Sequence, residues 1–138
     1  MEVRFVPQEN KSSGCGPACI AMLAGKRLAS SPRKAYAKAI EIIFDGNQRR
    51  DLYTDWSDLR AALLHLGISH ADRIHRHRSW DAIQTLSIVK CGKTGENGEY
   101  WHWVVYDGRV GLLYDPLRSG PSRPDGRTRK PRSHLPIG

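Results

Sequence analysis

The sequence predicts a single α+β domain in which N-terminal helices pack against an antiparallel sheet. Three observations indicate this class. Apolar residues at helical spacing dominate the chain up to about residue 67. Short runs rich in β-branched and aromatic residues follow from about residue 86, and the pair Asp107-Gly108 between two of them is typical of a hairpin turn. The length of 138 residues suits one domain with its own core.

Three helices are expected in the first half of the chain, and the first begins at Cys15 and is apolar throughout. The other two have residues with capping chemistry at both ends. These residues are Ser31, Pro32 and Asp45-Gly46 for the second helix, and Thr54 or Asp55 and Gly67 for the third. After them we expect a short strand over 68–74, a short helix over 79–84 and a strand over 86–91.

The predicted hairpin sets the position of a histidine. If Asp107 and Gly108 form the turn, His102 lies opposite Leu113, and Asp115 is diagonal to it on the same face. Diagonal side chains have Cβ atoms up to about 7–8 Å apart, so a carboxylate can hold the imidazole tautomer. Asp107 would be roughly 16 Å away along the strand and is the poorer candidate. Without this partner His102 could be an interior histidine, and Asp115 could be a turn residue.

Cys15 has the position of a thiol nucleophile. Unpaired N–H groups and the positive end of the helix macrodipole favour thiolate over thiol at a helix N-terminus. Taken alone, such a cysteine could also be a core residue, and we assign Cys19, inside the same helix, to the core. For substrate binding we assign Gly14 and Gly16, which leave room for a peptide backbone.

Trp101 and Trp103 flank the histidine, and we assign them to substrate binding as well. Strand alternation places both on the face opposite to His102. There they can also cover the core, while His102 faces the helix.

Four segments carry a family resemblance, and they occur in the family's order: Gln8, Cys15-Gly16-Pro17-Ala18-Cys19, His102-Trp103-Val104-Val105 and Asp115-Pro116. The chain here resembles the C39-like branch of the papain-like cysteine peptidases, the bacteriocin leader-processing proteases. The resemblance implies a papain-like fold with Cys15 as nucleophile, His102 as general base and acid, Asp115 as orienting residue and Gln8 as oxyanion donor. It also implies a narrow cleft for an extended peptide with glycine near the scissile bond. Family members commonly have an acidic residue at the position of Gly14, and many of them are the N-terminal domain of a membrane transporter.

The net charge of +8 is uneven along the chain. From residue 116 onward there are six Lys or Arg and one Asp, which gives +5 and leaves +3 for the rest. We therefore divide the chain into a peptidase domain, 1–117, and a basic tail, 118–138, rich in Pro and Arg. The tail has too few large apolar residues to offset its ordering entropy, so we expect it to be mobile. Nucleic-acid binding is not expected beyond weak contacts of this tail, since no binding module or stacking aromatic accompanies it.

Cysteine usage bears on compartment and cofactors. Three cysteines without framework spacing favour a reducing compartment, and we expect a cytoplasmic protein that needs no metal or cofactor. The alternatives are a thioredoxin-like redox pair and a zinc site from Cys15, Cys19, Cys91 and His102. The C-x3-C spacing matches neither. No apolar run is long enough for a membrane span, and no signal pattern opens the chain.

The expected function is hydrolysis of a peptide or isopeptide bond in a peptide or protein substrate, through a thioester with Cys15. An acyltransferase of the transglutaminase type would use the same three residues, so it stays open as an alternative. So does a catalytically idle binding module.

Overall fold

In the computed structural model three helices precede a five-stranded antiparallel sheet, and the described residues are 2–10, 13–45, 51–76, 79–94 and 100–138. The sheet has the order β1-β5-β2-β3-β4. The helices are α1 (Cys15–Ala24), α2 (Pro32–Phe44) and α3 (Trp56–His65). The strands are β1 (His75–Arg76), β2 (Leu86–Thr94), β3 (Tyr100–Asp107), β4 (Leu112–Tyr114) and β5 (Pro131–Pro136). The predicted α+β class is thus confirmed.

Helix α2 begins as its cap chemistry predicts. The hydroxyl of Ser31 accepts a hydrogen bond from the Lys34 N–H at 3.2 Å, and Pro32 takes the first helical position. Asp45 ends the helix with a left-handed φ of 49°. The neighbouring Gly46 lies outside the described residues.

Helix α3 also has the predicted ends. Of the two proposed caps, Asp55 is the one used, in a capping box with Asp58 in which each side chain accepts the other's backbone N–H. Gly67, with a φ of 68°, supplies the left-handed residue just beyond the helix.

Helix α1 is the centre of the core. All ten of its residues are buried, which suits a helix that is apolar on every side. It packs against α2 on one side and against β3 on the other. This packing fixes the helix start, and therefore Cys15, against one edge of the sheet.

The two faces of the sheet have separate apolar clusters. Trp103 and Val105 pack in the helix-side cluster with α1, while Val104 and Tyr106 belong to the cluster on the opposite face. His102 has the parity of Val104 and pairs with Cys91, a member of the second cluster. The expectation that His102 faces the helix is therefore wrong, because Trp103 takes that face.

The hairpin between β3 and β4 has a longer loop than expected. Tyr106 pairs with Leu113 and Asp107 with Leu112, so the loop comprises residues 108–111. Gly111 carries the left-handed φ of 73°, and its N–H donates to the Asp107 carbonyl at 2.8 Å. The Asp107-Gly108 pair thus starts the loop without forming a two-residue turn. His102 is consequently not opposite Leu113.

The C-terminal segment is not the mobile tail that its composition suggests. Strand β5 lies inside the sheet between β1 and β2, and Leu135 is completely buried in the helix-side cluster. Its two prolines occur at the first and last strand positions, which a sheet tolerates better than central ones. Leu135 and Ile137, two positions apart, both belong to the helix-side cluster, and the backbone pairs with β1 and β2. The proposed boundary at residue 117 therefore divides one sheet.

Between α3 and β2 the expectations are met only in part. The strand expected over 68–74 is absent, and His70 makes only an isolated bridge to Ile137. The helix expected over 79–84 is a single 3-10 turn, Trp80–Ala82. The strand expected over 86–91 is present and continues to residue 94. Within the described ranges, no helix has the length and apolar character needed to cross a membrane.

Candidate active site

Cys15 lies at the first turn of α1, against the edge of β3. Strand β4 ends at Tyr114, opposite Val105, so it does not reach Trp103. The Trp103 backbone N–H donates to Cys15 Sγ at 3.4 Å instead. The helix start thus takes the place that a longer β4 would occupy. This is how Cys15 comes beside His102 although the imidazole belongs to the opposite face of the sheet.

His102 is held by a carboxylate and lies next to the Cys15 thiol. Its Nε2 is 2.7 Å from Asp115 Oδ1. The Cys15 side chain helps to raise the pKa of the ring, and its Sγ accepts the N–H of the adjoining residue, Trp103. Since Nε2 is engaged by Asp115, the nitrogen left for the thiol is Nδ1. The structure therefore brings together the three residues that the sequence selected, in the order thiol, imidazole, carboxylate.

His102 and Asp115 are buried, and burial and their mutual contact together shift the pKa values of both groups. Burial lowers the pKa of His102, but the hydrogen bond to Asp115 and the neighbouring Cys15 side chain outweigh it and raise that pKa from 6.5 to about 9. For Asp115, burial raises the pKa of the carboxyl, and the opposing effects of His102 and the Leu117 N–H leave it below its usual range. Charge separation within this pair is thus favoured over neutral partners.

Gln8 is next to these residues but is not free. Its backbone N–H donates to the Pro116 carbonyl at 3.1 Å, which ties it to the segment carrying Asp115. The side-chain Nε2 donates to the Asn10 carbonyl at 2.8 Å, and the same carbonyl accepts from the Gly14 N–H at 3.0 Å. One amide hydrogen of Gln8 is thus used to fix the loop before Cys15, and the second is available for another acceptor.

Gly14 and Gly16 serve packing, which differs from their predicted contact with substrate. Both are buried. A Cβ on Gly14 would overlap the Tyr36 hydroxyl, and a Cβ on Gly16 would overlap Thr54 Oγ1. The space beside each glycine is therefore taken by the protein itself.

The two tryptophans have structural partners as well. Trp103 is 1% exposed and packs edge-on against Trp56, with ring centroids 4.6 Å apart. The indole N–H groups of Trp101 and Trp103 both donate to the Thr54 carbonyl, at 3.0 and 3.3 Å. Trp103 is thus a core residue and cannot contact a substrate. Trp101 is only half-buried, with Lys90 Nζ 4.5 Å from its ring centroid.

The other two cysteines are buried thiols. Burial raises the pKa of Cys19 and of Cys91 well above the ordinary value. All three cysteines are free, and the assignment of Cys19 to the core agrees with its complete burial. Across the described segments, no cluster of three or more His, Cys, Asp or Glu is arranged to hold a metal ion.

A cavity of about 310 Å³ opens beside His102 on the sheet face away from α1. Its walls include His102, Asp115, Cys91 and Trp80. Three arginines from the segment that was expected to be a mobile tail also line it: Arg118, Arg127 and Arg129.

Sequence reasoning missed two residues that organise the site. Thr54 accepts both indole N–H groups and abuts Gly16, and Asn10 links Gln8 to Gly14. For Asn10 a local signal existed, since its side chain accepts the N–H of Ser13, a common Asn turn pattern. Thr54 acts mainly through its backbone carbonyl. Every residue has a backbone carbonyl, so the residue type gives no sign of this role.

Comparison with known proteins adds no identification. No protein-family model matches this chain, and no curated protein sequence matches it.

Proposed function

We propose that this protein is a papain-like cysteine peptidase that uses Cys15, His102 and Asp115. The observation that carries the proposal is the 2.7 Å contact between His102 Nε2 and Asp115 Oδ1, next to a Cys15 thiol whose Sγ accepts the N–H of the adjoining Trp103 at 3.4 Å. This is the arrangement that nucleophilic catalysis needs: a nucleophile, a base within reach and a third group that orients the base. A histidine buried only for packing would not need both partners.

In the reaction, His102 Nδ1 takes the proton of Cys15 and the sulfur forms a bond to the substrate carbonyl carbon. The resulting oxyanion is held by the Cys15 backbone N–H, which has no partner within the helix, and by the second amide hydrogen of Gln8. His102 then gives its proton to the leaving amine as the carbon–nitrogen bond breaks. Water attacks the thioester with His102 as base, and the acid and the free thiol are released. Asp115 holds the imidazole throughout.

The burial of the thiol restricts the substrate. Cys15 is only 5% exposed, and its glycine neighbours are packed against Tyr36 and Thr54. With so little of Cys15 accessible, a bulky residue at the scissile carbonyl would hinder its approach to the sulfur, whereas glycine brings no side chain. This supports the expectation of an extended peptide, or an isopeptide, with a small residue at the cleavage point. The three free thiols are in keeping with a reducing compartment, and we place the enzyme in the cytoplasm.

The test is the alkylation rate of each cysteine against pH, measured by peptide mass spectrometry. Cys19 and Cys91 serve as internal controls because both are buried and have raised pKa values. We expect Cys15 to react fastest, and we expect His102→Ala to slow it selectively. Equal rates at all three cysteines, or no effect of His102→Ala on Cys15, would contradict a thiol-imidazole pair and leave a binding module as the explanation.

Product analysis then separates hydrolysis from transfer. Glycine-containing peptides are incubated with the protein, with and without an added primary amine, and the products are identified by mass. Hydrolysis gives a free carboxyl terminus under both conditions. A new amide as the main product would show that the acceptor is an amine, and the peptidase proposal would be replaced by an acyltransferase.

A further inference from the structure

The cavity beside His102 is lined by positively charged side chains that have no part in the proposed triad. Arg118, Arg127 and Arg129 line it, and Asp115 is the only carboxylate among the described residues that line it. Asp115 is already engaged, since Oδ1 contacts His102 and accepts the Leu117 N–H, and Oδ2 lies 3.8 Å from Arg118 Nε. Arg127 and Arg129 form no ion pair with any carboxylate in the described part of the chain.

The place of this cavity relative to the triad assigns it to one side of the bond being cut. His102 and Asp115 line it, whereas Cys15 does not. The acyl part of a substrate must lie at Cys15 and the start of α1, where the sulfur attacks. The leaving amine must lie at His102, which protonates it. The amine itself meets Nδ1, on the Cys15 side of the ring, so what can reach this cavity is a side chain of the leaving group that extends past the imidazole.

We propose that this cavity binds an acidic side chain on the leaving-group side of the substrate, through Arg127 and Arg129. This inference rests on the proposed function and adds a substrate class to it. A guanidinium matches the planar geometry of a carboxylate and can bind both of its oxygens. The volume of about 310 Å³ is at the lower end of the range for small-molecule pockets and suits one side chain. Trp80 and Leu113 line the same cavity and provide apolar contact for the methylene groups of that side chain.

Binding can be tested without any turnover. The probe is N-acetylglutamate amide, its neutral control is N-acetylglutamine amide, and the readout is the ¹H-¹⁵N amide shift of Thr128 and Arg129 at constant ionic strength. We expect saturable shifts with the acidic probe and at least about threefold weaker binding of the neutral one. Equal binding of the two probes, or no binding of either, would overturn the proposal.

The test protein is a double variant that combines Arg127→Gln with Arg129→Gln. The matched control is the single variant Arg27→Gln. All three side chains are exposed, so the substitutions should leave the fold intact. Arg27 lies just beyond the far end of α1, about 15 Å from Cys15 along a ten-residue helix. The double variant should lose the shifts and Arg27→Gln should keep them. Shifts that persist in the double variant would show that other residues bind the probe.

A second measurement links the cavity to the thiol. The ratio of iodoacetate to iodoacetamide alkylation rates at Cys15 compares an anionic with a neutral reagent of similar size. The ratio should fall about threefold in the double variant and stay constant in Arg27→Gln. An unchanged ratio would overturn the coupling of the cavity to the site. Failure of the proposed function has a different signature, because Cys15 would then resist the neutral reagent while the acidic probe still binds.

Discussion

His102 and Asp115 form a 2.7 Å contact between Nε2 and Oδ1, although one is in the middle of a sheet and the other follows its edge strand. Both side chains are largely buried, with exposed fractions of 6% and 13%. Oδ1 also accepts the N–H of Leu117, in the turn after β4, at 3.0 Å. The carboxylate is thereby oriented by the backbone as well as by the histidine.

Replacement of Asp115 by Asn should therefore reduce the reactivity of Cys15 without unfolding the protein. The amide can still accept the Leu117 N–H, but it no longer carries the charge that favours imidazolium. We expect the alkylation rate of Cys15 and any peptidase turnover to fall by at least about tenfold. The loss should be smaller than in His102→Ala, where the loss of general acid-base catalysis should lower turnover by a factor of about 10²–10⁴.

The control for Asp115→Asn is Asp125→Asn, which makes the same change of charge in an exposed turn. It should leave the rate at Cys15 unchanged. An equal effect of the two variants would show that net charge, and not the contact with His102, is responsible.

The pairing of these two residues was predictable because strand parity survived an error in register. The expected turn placed Leu113 opposite His102, whereas the observed pairing of Tyr106 with Leu113 shifts the partner strand by four residues. An even shift keeps every side chain on its own face of the sheet. Continued past Tyr114, the observed register puts Asp115 opposite Val104. Asp115 is therefore still diagonal to His102, but it is displaced toward the C-terminal end of β3 and not toward the N-terminal end, as the expected register would have it.

Other parts of the site could not be predicted, because they depend on tertiary packing. Neighbouring residues suggested open space at Gly14 and Gly16, but the space is filled by Tyr36 and Thr54 from distant segments. Composition suggested a mobile tail after residue 117, but β5 pairs with β1 and β2. Helix ends, by contrast, depend on local capping, and the ends of α2 and α3 were predicted for that reason.

Gln8 gives a graded test of the oxyanion site. Gln8→Ala removes the amide hydrogens and should lower turnover by about 10²–10³, while the alkylation rate of Cys15, which forms no oxyanion, should change much less. Gln8→Glu keeps the size and removes the donor, so it should behave like Gln8→Ala in turnover. Similar losses in alkylation and turnover would instead indicate that Gln8 acts by fixing the loop before Cys15.

Gly16 and Thr54 should be energetically coupled. Gly16→Ala places a methyl group against Thr54 Oγ1 and should destabilise the fold by about 1–3 kcal/mol through overpacking. Thr54→Ala removes that oxygen, which has no hydrogen-bond partner among the described residues, so it should cost little alone and should rescue Gly16→Ala. Chemical denaturation of both single variants and the double variant measures the coupling. Additive effects would contradict it.

The free energy of unfolding should fall as the pH rises from about 6.5 to about 9. The pKa of His102 is raised from 6.5 to about 9 in the folded state, so its contribution is complete below 6.5 and is lost as the pH rises through 9. The slope should approach about 1.4 kcal/mol per pH unit within this window. Cys19 and Cys91 also have raised pKa values, but their contribution is lost only above the ordinary thiol value of 9.0.

Urea denaturation across this pH range provides the measurement for His102. Asp115→Asn, which removes the main partner of the imidazolium, should flatten the slope. His65→Gln, at an exposed position at the end of α3, should leave it unchanged. A slope that survives Asp115→Asn would assign the effect to another group.

The C-terminal strand should be required for folding. Leu135 is fully buried in β5, which lies inside the sheet, so Leu135→Ala should cost about 2–5 kcal/mol. Arg132→Ala changes an exposed side chain of the same strand and should cost less than about 0.5 kcal/mol. Thermal unfolding followed by circular dichroism compares them. If both variants unfolded at the wild-type temperature, the segment would contribute nothing to the fold, as the original expectation of a mobile tail requires.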